Sequence, residues 1–344
     1  MPSVRREQSH GRSNRRDILP PLPKTRETMT RVAVVIVNYN LADDVGRLIG
    51  SIRKHTRDVD YQIYVVDNGS IEPGFDRLRR DYTDVEYIVL EHNRGFGAGN
   101  NAALRLVEAD TYFLLNPDAL LVENSIKKTI DFMTERPEYG IVGHRQVYED
   151  GSVQETARSF PSLVEELFAL FGLNERLFRL RKRLRRVFFD KSHYRTDFVY
   201  GSCMAIRREV VEATGGFDED FFLFAEETDL CYRARRAGYP TAFLRDAVMI
   251  HAAGKVTAKV KSDRVRRIFE SKLLFVKKHY GAGRRFLFRA LVRLQLALRR
   301  IALPFFVERE KRDEFRRVYQ ALDDVYRRDD PPVNPTLNSD EKQA

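Results

Sequence analysis

Residues 112–118 read Tyr-Phe-Leu-Leu-Asn-Pro-Asp, an apolar run that stops on a single carboxylate, Asp118. Much later, Glu226-Glu227-Thr228-Asp229 follows the aromatic run Phe221-Phe222-Leu223-Phe224. A buried strand that ends on an acid delivers it to the carboxyl edge of a parallel sheet, where open α/β sheets bind ligands. A carboxylate there can hold a divalent cation shared with a diphosphate. An acid beside aromatic rings is partly desolvated, which raises its pKa and makes it a better base near neutrality. One acid for a metal–diphosphate and another for an acceptor hydroxyl is the division of labour of group transfer from an activated nucleotide. Each acid also has a plainer reading. Asn116-Pro117-Asp118 is good turn chemistry, and a helix dipole favours acids in its first turn. His251 ends a later apolar run, with Ala252-Ala253-Gly254 after it. It can serve the core alone, or join Asp118 at a hard cation, since imidazole also suits Mn²⁺.

A glycine-rich stretch, Gly95-Phe96-Gly97-Ala98-Gly99-Asn100-Asn101, precedes a helical pattern. It is not a dinucleotide fingerprint, which needs a third glycine where Asn100 stands and belongs in the first strand–helix turn. The first turn here, Asn38-Tyr39-Asn40-Leu41, has no glycine, and no G-x-x-x-x-G-K-[ST] occurs. These absences exclude a nicotinamide dehydrogenase and a P-loop enzyme. The glycines can let a substrate approach the backbone beside Asn93 and Asn101, or simply make a tight turn on the sheet.

The elements that must position these residues follow from periodicity. Val32–Val37 is a continuous β-branched run, expected of a strand covered on both faces. Residues 41–55 have helical spacing through Val45, Leu48, Ile49 and Ile52. Strands are expected at 62–66, 85–90 and 112–115, and a helix at 99–108. Strand–helix alternation with short loops means a parallel sheet with right-handed crossovers. Beyond Asp118 the pattern predicts a helix at 125–134, strands at 139–147, 197–207 and 242–249, and helices at 209–214 and 228–237. Helices at 262–280 and 284–303 follow, the second broken at Pro304.

The chain has 344 residues and a formal net charge of +10, which favours anionic partners. Its two cysteines, Cys203 and Cys231, lie in apolar contexts and are expected to be reduced and buried, as in the cytosol. No uninterrupted apolar stretch reaches spanning length, and the arginine-rich N-terminus lacks the apolar core of a signal peptide.

The order of motifs resembles the inverting glycosyltransferases of family 2, with a GT-A fold, and within them a bacterial rhamnosyltransferase-like branch. The resemblance is carried by Val35-Ile36-Val37-Asn38-Tyr39-Asn40, Val65-Val66-Asp67-Asn68-Gly69-Ser70, the 93–101 stretch, Leu114-Leu115-Asn116-Pro117-Asp118, Gly215-Gly216-Phe217-Asp218-Glu219 and residues 226–233. It implies an α/β fold with a Rossmann-like, mostly parallel nucleotide-binding sheet flanked by helices and a C-terminal helical extension. The expected division is a disordered basic leader over 1–30 and a transferase domain over 31–260 with a basic amphipathic insertion at 163–189. A helical region over 261–328 and a disordered tail over 329–344 complete it.

The resemblance also implies roles. Tyr39 and Asp67 would face the base and ribose, and Asn93, Gly95 and Asn101 would line the donor pocket. Asn116 stands where the family's D-x-D motif has its first Asp, and Asp118 would touch a divalent metal, Mg²⁺ or Mn²⁺. Glu227 aligns with the family's base, one methylene longer than the usual Asp, so Glu226 and Glu227 both stand as candidates. The implied reaction moves rhamnose from dTDP-rhamnose, or galactofuranose or an N-acetylhexosamine, to a hydroxyl of a lipid-linked or cell-envelope glycan. A nucleotidyltransferase would need a basic Gly-rich loop near the N-terminus, which is missing. A catalytically degenerate basic scaffold binding membrane or nucleic acid is the other class, but the phenylalanines sit in apolar patterns rather than on a basic face, and no nucleic-acid partner is expected. Residues 286–306 alternate apolar side chains with Arg289, Arg293, Arg299 and Arg300. They suit an interfacial helix on anionic lipid, hence a cytoplasmic protein peripheral to the inner face of the cell membrane.

Overall fold

The computed structural model describes residues 32–171, 173, 192–252, 261–306, 308–309, 312–327 and 333–334. The expected leader, and the 163–189 insertion beyond residue 173, lie outside them.

Four parallel strands open the sheet: β1 (Val32–Asn38), β2 (Tyr61–Asn68), β3 (Glu86–Leu90) and β4 (Thr111–Leu115) stand in the order β3-β2-β1-β4. Helices α1 (Ala42–His55), α2 (Phe75–Asp81) and α3 (Phe96–Leu106) make the crossovers. β1 shows why its run is unbroken by polar residues. Val32, Val34 and Ile36 pack with Val45, Leu48, Ile49 and Ile52 of α1 on one face, while Ala33, Val35 and Val37 pack with Ala103 and Leu104 of α3 on the other. Each such fully buried aliphatic side chain contributes about 1.5–3 kcal/mol.

Past β4 the sheet becomes mixed. β5 (Ala119–Leu121) is short, α4 (Ser125–Glu135) follows, and β6 (Ile141–Val147) returns. β7 (Val153–Gln154) hairpins onto β6, and β8 (Ala157–Arg158) leads to α5 (Leu163–Leu170). β9 (His193–Thr196), β10 (Phe198–Val199) and β11 (Cys203–Arg207) precede α6 (Arg208–Thr214) and α7 (Glu226–Arg236). β12 (Thr241–His251) completes the sheet. β11 runs antiparallel to both β4 and β6, and β12 is parallel to β6 and antiparallel to β5. This order brings the start of β11 and the ends of β4 and β12 to one region of the sheet edge.

Several elements differ from expectation. α3 begins at Phe96, not 99, because Gly95 takes a positive φ of 92° and turns the chain directly into the helix. The strand expected over 197–207 splits at Gly201, where a Cβ would lie 2.7 Å from the Phe96 ring. Its first part pairs with β8 in a separate two-stranded sheet. α7 begins at Glu226 rather than Thr228, after two consecutive left-handed residues, Phe224 and Ala225.

The C-terminal helices are α8 (Lys261–His279), α9 (Ala282–Phe306) and α10 (Arg312–Arg327). Pro304 lies inside the last turn of α9 instead of breaking it, and its carbonyl accepts from Arg312. Phe275, Phe288, Val292, Leu296, Leu322 and Tyr326 join the hydrophobic cluster that also covers one face of the sheet. The α9 arginines are not a uniform headgroup-facing row. Arg289 donates to the Tyr326 carbonyl, and Arg293 and Arg300 pair with Asp323, which is buried on α10. A carboxylate in that position must find cations, and α9 supplies them. Within the tail, Asn334 is buried against the domain.

Candidate active site

The ends of β1 and β2 form the first part of the site. Asn38 closes β1 and donates to Asp67 Oδ1 at 2.7 Å; Ser70 Oγ donates to the same oxygen at 2.6 Å. The Ser70 amide reaches Asp67 Oδ2 at 3.2 Å. Asp67 is thus a buried carboxylate held by charge-assisted hydrogen bonds. Tyr39 follows β1, half-buried.

The glycine-rich turn forms the second part. Asn68 holds it from β2, donating to the Gly95 carbonyl at 3.0 Å and to Asn93 Oδ1 at 3.1 Å, and accepting from the Arg94 amide. Asn93 in turn accepts from the Gly95 amide. A Cβ on Gly95 would sit 2.2 Å from the Phe222 carbonyl, so only glycine lets this turn pass so close to the segment leading to α7. Asn101 is buried on α3. Its amide donates to the Phe217 carbonyl and Glu219 Oε1 and accepts from the Phe217 amide. These bonds brace α3 against the 216–219 turn.

The third part joins β4, β12 and β7. The Asn116 amide bonds the Ser202 carbonyl, and Asp118 lies with Oδ1 3.2 Å from His251 Nε2. Asn116 Nδ2 is 3.5 Å from that nitrogen. Both Asp118 and His251 are largely buried. Gln154, which sequence reasoning missed, fixes the imidazole. Its Nε2 donates to the His251 carbonyl, so its Oε1 is an acceptor, and that oxygen lies 3.1 Å from His251 Nδ1. Nδ1 must therefore carry a proton. Nε2 faces the Asp118 carboxylate, where a divalent cation could bind between the two side chains. Among the described residues no third His, Cys, Asp or Glu joins this pair. One carboxylate, one imidazole and the Asn116 amide suit a divalent ion that takes its remaining ligands from substrate phosphates and water.

The fourth part is the start of α7. Glu226 and Glu227 are buried, and each has an Oε2 without a hydrogen-bond partner. Burial pushes Glu226 well above the carboxylate range, and the neighbouring Glu227 pushes it further. Burial pushes Glu227 up to about 7, against bonds to its own backbone amide and that of Thr228, which lower it. Both carboxyls are thus held above the ordinary carboxylate range, and Glu227 titrates near neutrality, the position a general base needs. Gly97 of α3 lies against this segment, where a Cβ would come 3.1 Å from the Phe217 Cβ and into ordinary contact with the Glu226 Cβ. Asp229 has a different duty. It accepts from Arg233 Nε and meets His279 Nε2, both at 2.6 Å, locking α7 to α8.

Neither Gln154 nor the Asp229–His279 contact left a sequence signal, because each joins side chains 50 or more residues apart. Cys203 and Cys231 are free, buried thiols, as their apolar contexts indicated. Burial raises both, Cys231 to about 12.

Among solved structures, the chain resembles a mannosyltransferase from Pyrobaculum calidifontis in complex with GDP-Man and Mn²⁺, with a TM-score of 0.52 and 17% identity over 88% of this chain and 83% of that one. It also resembles GalNAc-T7 with UDP, GalNAc and Mn²⁺, with a TM-score of 0.56 and 15% identity over 86% of this chain and 55% of the other. These likenesses show a GT-A fold. In sequence the chain is 26% identical over 278 residues to the N-acetylglucosaminyl-diphospho-decaprenol L-rhamnosyltransferase of Mycobacterium tuberculosis, covering 77% of this chain and 90% of the relative. It is 25% identical over 231 residues to rhamnosyltransferase WbbL of Escherichia coli, covering 64% and 83%. The family pattern described as glycosyl transferase family 2 matches residues 33–215, over half of the chain and all of the sheet edge from Asn38 to Asp118. With the sheet order, the Asn116–Asp118 turn and that match in agreement, the chain belongs to glycosyl transferase family 2 and is a glycosyltransferase.

Proposed function

We propose that the protein transfers a sugar with inversion from a nucleoside diphosphate sugar to a hydroxyl of a lipid-linked or cell-envelope glycan. The observation that carries this reading is the pair of buried carboxyls at the start of α7, poised beside a turn that only glycine can form. Glu227 takes the proton of the acceptor hydroxyl, and the oxygen attacks the anomeric carbon from the face opposite the diphosphate. The bond to the diphosphate breaks with its electron pair on the leaving oxygen, so a single displacement inverts the centre. Asp118 and His251 would hold a divalent cation, which supplies charge neutralisation to the departing diphosphate. Asp67, fixed by Asn38 and Ser70, offers its acceptors to the ribose.

Rhamnose is the sugar named for the rhamnosyltransferase relatives, and dTDP-rhamnose is the donor proposed for this chain. A thermal-shift screen of nucleotide sugars with Mn²⁺ or Mg²⁺ tests it, because a ligand bound only by the folded state raises the melting temperature by mass action. dTDP-rhamnose should give the largest shift and then be turned over. A larger shift with a galactofuranose or N-acetylhexosamine donor reassigns the sugar, and binding without turnover of any donor, with acceptor glycan present, favours the degenerate scaffold.

The same reading places the protein on the cytoplasmic face of the membrane. No described helix is long and apolar enough to cross a bilayer. α9, however, has two apolar sides. Phe288, Val292, Leu296 and Leu303 face the core, whereas Leu287, Leu294, Leu298, Ile301 and Phe305 are exposed. α5 packs on α9 and exposes Val164 and Leu167. α9 carries six arginines and no acid, which suits an anionic surface. The apolar stripe, not the row of arginines, is the part that enters the lipid, since three of those arginines serve α10. Flotation with vesicles containing phosphatidylglycerol should recover the protein, and Leu298→Gln with Ile301→Gln should release it. Equal recovery of wild type and this variant would remove α9 from the membrane contact.

A further inference from the structure

We infer that Asn334 is a positioning residue for the transfer reaction: it clips the donor-side turn at Arg94 to the segment that leads into the catalytic helix. The inference rests on the glycosyl-transfer reading above, and on three hydrogen bonds. The Asn334 side-chain nitrogen donates to the Arg94 carbonyl at 3.0 Å and to the Glu219 carbonyl at 2.9 Å. Its backbone amide donates to the Asp220 carbonyl at 2.8 Å. The residue is 1% exposed, in a stretch of otherwise polar and proline-rich sequence.

The two clipped segments are those whose separation matters to the chemistry. Arg94 immediately precedes Gly95, whose turn presses on the Phe222 carbonyl, and the Phe96 amide bonds that same carbonyl at 3.0 Å. From Asp220 the chain runs through Phe222, Phe224 and Ala225 into Glu226 and Glu227. Arg94 also reaches Glu219 at 3.4 Å, and Asn101 holds Glu219 from α3. Asn334 closes the same junction from the far end of the chain, 240 residues from Arg94. The donor-side turn and the base are thereby fixed to one another rather than to the sheet separately.

The chemistry of the clip is specific to an amide. Both N–H groups of one planar nitrogen meet two carbonyl oxygens. Aspartate has the same shape but would set an oxygen against those carbonyls, leaving buried acceptors unsatisfied and a charge beside them. Alanine would leave the same acceptors unsatisfied without adding a charge.

The test compares Asn334→Ala, Asn334→Asp and, as a control, the half-exposed neighbour Val333→Ala, in the full chain. Misplacement of reacting groups by about 1 Å can cost ~10²-fold in rate. kcat should therefore fall on the order of 10-fold or more in Asn334→Ala and further in Asn334→Asp, with Val333→Ala unchanged and a smaller change in donor KM. Hydrogen exchange read by mass spectrometry should quicken in peptides covering 93–101 and 217–227, and not elsewhere. Equal kcat in all three variants overturns the inference. So does a loss of rate that only follows a loss of folded protein, with exchange quickened along the whole chain. The exchange measurement needs no substrate. A wild-type protein that turns over no nucleotide sugar therefore defeats the glycosyl-transfer reading, while unchanged exchange at the two segments defeats the clip.

Discussion

Glu227→Gln keeps its donor and loses turnover by on the order of 10²-fold or more, the usual contribution of a positioned general base. Glutamine has the shape of the protonated acid but cannot accept the hydroxyl proton. If Glu226→Gln shows this loss and Glu227→Gln does not, the base is the first acid of the pair; near wild-type rates in both variants would sink the carboxylate mechanism. The wild-type rate should rise with pH through about 7 as Glu227 gives up its proton. Stability should move the other way. The ordinary value for this carboxyl is 4.5, and burial raises the folded value to about 7. Between the two, the native state keeps a proton that the unfolded chain has released. The stabilisation is full below 4.5 and is lost as pH rises through about 7. Both Gln variants should consequently melt higher, relative to wild type, at pH 8 than at pH 5. A variant slower in turnover yet more stable above neutrality is the signature of a buried working acid, and urea unfolding at the two pH values reads it directly.

Asp118→Asn removes the cation-dependent part of donor binding, by about 10-fold or more, while the fold persists. The carbonyl of Asp118, which accepts from the Ala252 amide at 3.1 Å, is untouched by the change. Gln154→Leu should act in the same direction through the imidazole. It frees His251 Nδ1 and lets the ring turn, and loss of such an outer partner typically costs ~10–100-fold in metal affinity. Calorimetric titration of a nucleoside diphosphate, with Mn²⁺ and then with EDTA, separates the contributions. A cation-dependent affinity equal in wild type and Asp118→Asn would take the metal away from this turn.

The parts of this protein legible in its sequence are those governed by neighbours along the chain. The run from Val32 to Val37 announces a strand covered on both sides, because side-chain direction alternates strictly in a strand and apolar residues at every position demand two packed faces. The strand-to-acid step at Leu115–Asp118 puts a carboxylate at the sheet edge for the same local reason, and Glu226-Glu227 after an aromatic run marks two acids with a desolvated future. What the sequence did not determine is which partner each side chain would meet. Asn101 reads as lining the donor pocket, and only the fold shows its amide meeting the Phe217 backbone and the Glu219 side chain more than a hundred residues away. Arg289, Arg293 and Arg300 read as headgroup contacts and are instead taken by α10, because Asp323 is buried there and needs cations. Gln154 and Asn334 carry no local pattern, yet one sets the protonated nitrogen of His251 and the other joins the two sides of the site. Helical and strand periodicity is a property of a few consecutive residues and survives in the sequence. The pairing of buried donors and acceptors is settled only when distant segments are brought together and each polar group, cut off from water, must find its partner among what the fold has placed nearby.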